Sequence, residues 1–304
     1  MAIKSPVTHS EHVSLVAQFP ADQIIENYRQ RGIQVARFFK DVPTVELYEC
    51  LDTGYRFYYP GTIFGDGQFY ADLQEAHNQY YAREKWEHTY AVSKIRPTDK
   101  VLEVGTGDGF FLETMKNKGI DARGLELNPR AIEAGRARGL QMDEELIEEH
   151  AARHEGAYDV VCTFQVLEHI YDVRGYLDAC LLALRKGGKL IIGVPNNNPY
   201  LYKHDKWHLL NLPPHHAGLW SKKAFMALPG FYNVTVENVI VEPLRNDRGE
   251  YREWYEVQVE HQQEQRPLLG KVMSVVPRPL YKIGMKLLSP FIVGRNIVAV
   301  FTKL

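Results

Sequence analysis

Val101-Leu102-Glu103-Val104-Gly105-Thr106-Gly107-Asp108-Gly109-Phe110-Phe111-Leu112 is the stretch that decides how this chain folds. Its first four residues suit a short strand buried on both faces. Three glycines at every second position then let the backbone turn sharply and leave no Cβ between it and a ligand. Phe110, Phe111 and Leu112 begin a helix expected to end near Asn117-Lys118-Gly119. The free N–H groups at the start of such a helix suit a polar or anionic group. Glu103 falls at the carboxyl edge of the strand, where an open α/β sheet places its ligand crevice.

A glycine run alone also fits an ordinary tight turn, so the next segment matters. Asp121 to Leu127 reads as the second strand of a βαβ unit ending in an acid, Glu126. A carboxylate there can accept hydrogen bonds from both hydroxyls of a ribose. Asn128-Pro129 ends the strand, and Pro129 suits the first turn of a helix over Arg130 to Arg138.

Glu103-Val104-Gly105-Thr106-Gly107-Asp108-Gly109, followed by the strand-end acid Glu126, resembles the cofactor site of class I S-adenosylmethionine-dependent methyltransferases. Three later segments carry the same resemblance. They are Tyr158-Asp159-Val160-Val161-Cys162 with Gln165-Val166-Leu167-Glu168-His169, then Leu184 to Leu190, then Gly193-Val194-Pro195-Asn196. The match covers roughly residues 92 to 240. A nicotinamide-binding loop would more usually read Gly-x-Gly-x-x-Gly. The resemblance implies an α/β fold: a doubly wound, seven-stranded, mostly parallel, Rossmann-like sheet. It implies S-adenosylmethionine as cofactor, with S-adenosylhomocysteine as product. It assigns Glu103, Gly105, Thr106, Gly107, Gly109, Glu126, Leu127 and Gln165 to that cofactor.

The 304 residues carry a formal net charge of -2, so no global basic field recruits nucleic acid. Asn197-Asn198-Pro199-Tyr200 lacks the second proline of a base-flipping motif and follows the fifth strand instead of the fourth. Cys50, Cys162 and Cys180 are scattered and odd in number, which suggests reduced thiols and a cytoplasmic setting. No run of 18 apolar residues indicates a membrane span.

The expected organisation is an N-terminal extension and helical cap over 1–91, then the cofactor-binding domain over 92–304. Residues 1–20 read as a loosely ordered lead-in, and a helix with Ile24, Ile25 and Tyr28 on one side follows, closed by Gly32. Val45 to Cys50 and Tyr55 to Pro60 suggest a hairpin. Phe69, Tyr70, Leu73, His77, Tyr80, Tyr81, Trp86 and Tyr90 recur at helical spacing, as a lid over the crevice or as a packed cap. Tyr80, Tyr81 and Trp86 are the substrate-lining candidates there.

Gln141 to Leu146 is where a third strand and an adenine-facing loop would fall, with Asp143, Glu144 and Glu145 competing for that contact; the run Glu144 to Glu149 reads as a solvated helix face. Glu168-His169 follows the fourth strand and is read as ordering the loop near the cofactor, with His169 as a substrate-lining candidate and no metal expected. Asn196 and Asn197 leave the fifth strand at the crevice edge, where substrate-facing residues are expected.

Asn211-Leu212-Pro213-Pro214-His215-His216-Ala217-Gly218-Leu219-Trp220-Ser221 is the second unusual stretch. It resembles a segment in a subset of these methyltransferases, many of which act on sugars or other small hydroxylated compounds. Methylating a hydroxyl requires removal of its proton, and an imidazole can accept it near neutral pH. His215 and His216 are therefore the catalytic candidates, Trp220 a substrate-lining one, and Ser221 a helix cap. The bland alternative is a buried imidazole tying the loop to the core.

Phe231 to Val241 and Ile297 to Phe301 read as the last two strands, antiparallel at the sheet edge. The connection between them, about 243–296, is too long for a hairpin loop and must contain structure. No acid follows Glu264, while seven basic residues do, among Val272, Val275, Leu280, Ile283 and Leu287. Residues 271–289 are thus either a cover for the core or a membrane-surface contact. Covering the core is the preferred role, because Pro277 and Pro279 interrupt a long surface helix. The expected activity is O-methylation of a small hydroxylated acceptor such as a sugar or glycan precursor, free or lipid-linked. The alternative is a non-catalytic cofactor-binding protein acting in an assembly.

Overall fold

The computed structural model describes residues 2–76, 85–197, 206–245 and 249–304. Eleven strands among them form two sheets. An N-terminal sheet holds β1 (Val13–Pro20), β2 (Thr44–Cys50), β3 (Arg56–Tyr59) and, far along the chain, β9 (Gly218–Leu219), in that order and all antiparallel. The main sheet comprises β4 (Val101–Val104), β5 (Ala122–Leu125), β6 (Met142–Asp143), β7 (Tyr158–Phe164), β8 (Leu184–Pro195), β10 (Val234–Pro243) and β11 (Val293–Lys303). Its order is β10-β11-β8-β7-β4-β5-β6. β8, β7, β4, β5 and β6 pair in parallel, and β11 and β10 add antiparallel at one edge. This is the doubly wound class I architecture, with the long insertion before the last strand.

Alternate side chains of the central strands feed two cores, as the two-residue period of a strand requires. Leu102, Val161 and Ile192 enter one cluster, while Val101, Val160 and Ile191 enter the other. All four residues of β4 are buried. Each fully buried aliphatic side chain of this kind contributes roughly 1.5–3 kcal/mol. Helices α1 (Ala21–Arg29), α2 (Gly67–Ala76) and α3 (Trp86–Val92) precede the main sheet. The crossovers carry α4 (Phe110–Asn117), α5 (Pro129–Ala137), α6 (Ile147–Arg153) and α7 (Val173–Ala183). Asn128 caps α5 by accepting from the Arg130 N–H, with Pro129 in the first turn. Ser221 does the same for α8 (Lys222–Ala227), accepting from Ala224 N–H. All three cysteines are free and buried.

The structure corrects three sequence expectations. Val13–Pro20 is a strand and not a loose lead-in. As an edge strand it is largely exposed on both faces, so its sequence shows little alternation. The Glu144–Glu149 run is helical only from Ile147; Glu148 and Glu149 face solvent, but Glu145 is tied to His150 and Arg153. The insertion holds three helices, α9 (Glu250–Gln265), α10 (Pro267–Ser274) and α11 (Arg278–Leu288), and most of the apolar residues of α10 and α11 face outward instead of covering the core. Leu268, Val272, Val275, Leu280, Ile283 and Leu287 are all exposed.

Gly218 shows how tightly β9 is packed against the start of β3. A Cβ there would overlap the hydroxyl and ring of Tyr55, itself fully buried and packed against Trp220. Neither side can yield without moving backbone. Gly218→Ala is expected to destabilise the fold by about 2–3 kcal/mol, the upper range for overpacking, read as a lower urea midpoint. An unchanged midpoint would contradict this packing.

Candidate active site

The glycine loop between β4 and α4 has the backbone its sequence implies. Gly105, Gly107 and Gly109 have φ of +77°, +51° and +73°, a region glycine enters freely. A Cβ at Gly105 would also run into the Val166 side chain. Gly105 and Thr106 donate their N–H groups to Leu125 O, at 2.8 and 3.2 Å, locking the loop to the next strand. Glu126 then closes it. One carboxylate oxygen accepts from Gly107 N–H at 2.7 Å, and the other from Leu127 and Asn128 N–H at 2.8 and 2.9 Å. A carboxylate has about four acceptor positions, so Glu126 organises the loop and keeps capacity for a hydroxyl.

A second group of acids lies where β7 ends. Gln165 sits in the left-handed region, φ +58°, and donates its side-chain N–H to Glu87 at 3.1 Å. Glu87, Glu103 and Glu168 are each at most 2% exposed, and each has one carboxylate oxygen with no hydrogen-bond partner. The buried hydroxyl of Thr106 is unpartnered too. Burial raises the Glu103 carboxyl well above the ordinary range, with Lys85 acting against the shift and Glu126 adding to it. Burial also pushes Glu168 up to about 8, opposed by its own backbone N–H and by Lys85. Orphaned buried acids beside a bare glycine loop fit a ligand with a cationic end and hydroxyl groups. S-adenosylmethionine is such a ligand.

Glu168 also gives a pH signature to the protein without ligand. Its folded pKa is raised, so the stability it contributes is fully present below about 4.3 and is lost as pH rises toward about 8. Glu168→Gln does not titrate. The variant is expected to lose less stability than wild type between pH 5 and pH 8, by urea unfolding, and equal losses would contradict the buried neutral acid.

Three imidazoles gather next to Glu168. Ala217 N–H donates to Glu168 O at 2.7 Å, bringing the Pro213-Pro214 loop against the end of β7. His215 and His216 stack with ring centres 4.5 Å apart, and His169 meets them edge-on at 4.9 and 5.0 Å. His169 Nδ1 lies 2.6 Å from His215 O, and His216 Nδ1 lies 3.3 Å from Asn211 Oδ1. Each carbonyl calls for a donating Nδ1–H, which leaves Nε2 as an acceptor. Burial lowers His169 to about 4 and drives His216 well below the ordinary imidazole range, so both stay neutral. The potential ligand atoms of the three lie within 4.8 Å of one another, a spacing at which they could hold a metal ion. The N-terminal extension builds the housing: Tyr28 donates to Leu209 O and Leu212 O, and Tyr70 to His215 O.

The other candidates scatter. Tyr80 and Tyr81 lie outside the described residues. Trp86 stacks on Tyr90 along α3, while its neighbour Glu87 turns inward to Gln165. Asn196 is buried, and its side chain donates to Gly294 O; Asn197 donates to Pro195 O but keeps a buried, unpartnered Oδ1. Trp220 is corrected from substrate-lining to core: it is fully buried, stacked on Phe225. Leu127 stays exposed beside Glu126. Asp143 pairs with Arg123, and Glu145 with His150 and Arg153, while Glu144 is exposed. Glu87 and Lys85 escaped the sequence reading because the aromatic stripe dominated that segment. An acid inside an apolar helical stripe was the available signal.

Comparison with known proteins agrees with this architecture. The family described as "Methyltransferase domain" matches residues 75–239, more than half of the chain. The chain belongs to the class I S-adenosylmethionine-dependent methyltransferase family. It is similar to a ubiquinone biosynthesis O-methyltransferase of Cronobacter sakazakii, 37% identical over 105 residues, 33% of this chain and 43% of that one. The namesake in Klebsiella pneumoniae is 35% identical over the same length, again 33% and 43% of the two chains. The chain thus spans less than half the length of these curated relatives. The crystal structure of a SAM-dependent methyltransferase from Archaeoglobus fulgidus superposes with a TM-score of 0.51 at 15% identity, covering 77% of this chain and all of that one. That likeness is one of fold.

Proposed function

We propose that the chain methylates a hydroxyl of a small acceptor, a sugar or glycan precursor, free or lipid-linked. The observation that carries this reading is the cluster of His169 with the buried His215 and His216 beside Glu168. S-adenosylmethionine, when bound, supplies a methyl group already activated on a sulfonium. Gly105, Gly107 and Gly109 would let it approach the backbone, and Glu126 would accept from its ribose. Glu87, Glu103 and Glu168 would face its cationic amino-acid end, with Gln165 beside them. Exposed Leu127 offers apolar surface near the ribose position.

What remains for the chain is orientation, exclusion of water and proton removal. One of His215 and His216 takes the acceptor's hydroxyl proton on a ring nitrogen. A neutral imidazole is the competent form, and burial keeps His169 and His216 neutral. The names of the similar relatives speak of O-methylation, which agrees with a hydroxyl acceptor.

The test is incubation with methyl-labelled S-adenosylmethionine and hydroxylated sugars, free and lipid-linked. Label in an acceptor, with matching S-adenosylhomocysteine, is expected. Cofactor binding with no transfer to any acceptor class would favour the non-catalytic alternative. A chelator-treated arm separates imidazoles acting as base, which keep turnover, from imidazoles holding a metal, which lose it.

A further inference from the structure

The insertion between β10 and β11 presents a face that methyl transfer does not use. On α10, Leu268 and Val272 stand one turn apart and are 84% and 63% exposed. On α11, Leu280, Ile283 and Leu287 form one stripe, each at least 60% exposed, and Phe291 just beyond is 84% exposed. These side chains are not loosely placed. The inner side of the same helices is engaged: Met285 is buried with Leu244, and Tyr281 stacks on Tyr255 at 4.7 Å. Tyr255 donates to Met273 O and Tyr251 to Ser289 Oγ, at 2.6 and 2.8 Å. The helices are pinned with their apolar side outward.

Charge identifies what covers that side. Arg278, Lys282 and Lys286 recur every fourth residue along α11, beside the leucine stripe, and Lys271 adds to them from α10. No acidic residue follows Glu264. A second copy docked by the same face would set one cationic stripe against another, which is repulsive. A neutral apolar groove would leave the cations without a role. An anionic lipid surface satisfies both features: headgroup phosphates meet the lysines and arginine, while the apolar stripe enters the boundary of the acyl chains. Among the described residues no helix is long and apolar enough to cross a membrane. Two short helices broken at Pro277 instead suit lying in the surface.

We propose that α10, α11 and Phe291 form a membrane-docking surface selective for anionic lipid. It is read without cofactor or acceptor, so it stands or falls separately from methyl transfer. The full chain is sedimented with vesicles of phosphatidylcholine alone and of phosphatidylcholine mixed with phosphatidylglycerol. Binding to the mixed vesicles is expected, weakened by salt, with little binding to phosphatidylcholine. At about 1 kcal/mol per cation near the surface, a Lys282→Gln, Lys286→Gln double variant should bind roughly 30-fold more weakly. Ile283→Gln with Leu287→Gln should also lose binding while keeping the wild-type urea midpoint, because both positions are exposed. Absence of vesicle binding, equal binding to both lipid mixtures, or self-association through this face without vesicle binding would each overturn the proposal.

Discussion

Replacing the imidazole proposed as general base by alanine is expected to lower kcat on the true acceptor by about 10²–10⁴-fold, the usual worth of a general base. One of His215→Ala and His216→Ala should show this loss with the affinity for S-adenosylhomocysteine unchanged. The pH profile carries a second signature. Burial lowers His216 and His169, the latter to about 4, and a depressed pKa keeps an imidazole neutral further into acid. With His216 as the base, the acid limb of kcat should therefore fall below pH 6.5, the ordinary imidazole value. Full turnover in both single variants and in the double variant would refute an imidazole base. An acid limb at or above pH 6.5 would contradict a His216 base held neutral by burial.

The second large effect is on the cofactor. Glu126→Ala is expected to weaken S-adenosylhomocysteine binding by about 1.5–3 kcal/mol, the range for hydrogen bonds to a charged group. Its carboxylate links Gly107 to Leu127 and Asn128, so the variant loses loop order as well as the proposed ribose acceptor. Glu126→Gln keeps an acceptor oxygen but replaces the other with a donor that faces a backbone N–H. It should therefore recover only part of the affinity. An unchanged dissociation constant in Glu126→Ala would remove the residue from the cofactor site.

These two sites were legible in the sequence to different degrees. The glycine loop and Glu126 could be read because their geometry is local: strand, turn and strand end follow one another along the chain. His169, His215 and His216 were each visible singly. Their meeting was not, because it depends on the long-range bond from Ala217 to Glu168 and on the housing built by Tyr28 and Tyr70. Trp220 looked like a crevice residue by its place after the histidines, yet β9 pairs with β3 and carries it into the core.

The apolar residues of α10 and α11 show the limit most plainly. Periodicity reveals that a helix has an apolar side, and says nothing about what covers it. Val13–Pro20 fails in the opposite sense, since an edge strand largely exposed on both faces has little reason to alternate.

Calorimetric titration of S-adenosylhomocysteine into the wild-type protein tests the central claim most directly. Saturable one-to-one binding is expected, weakened at least tenfold in Glu126→Ala. A well-folded wild type that takes up no S-adenosylhomocysteine would contradict it.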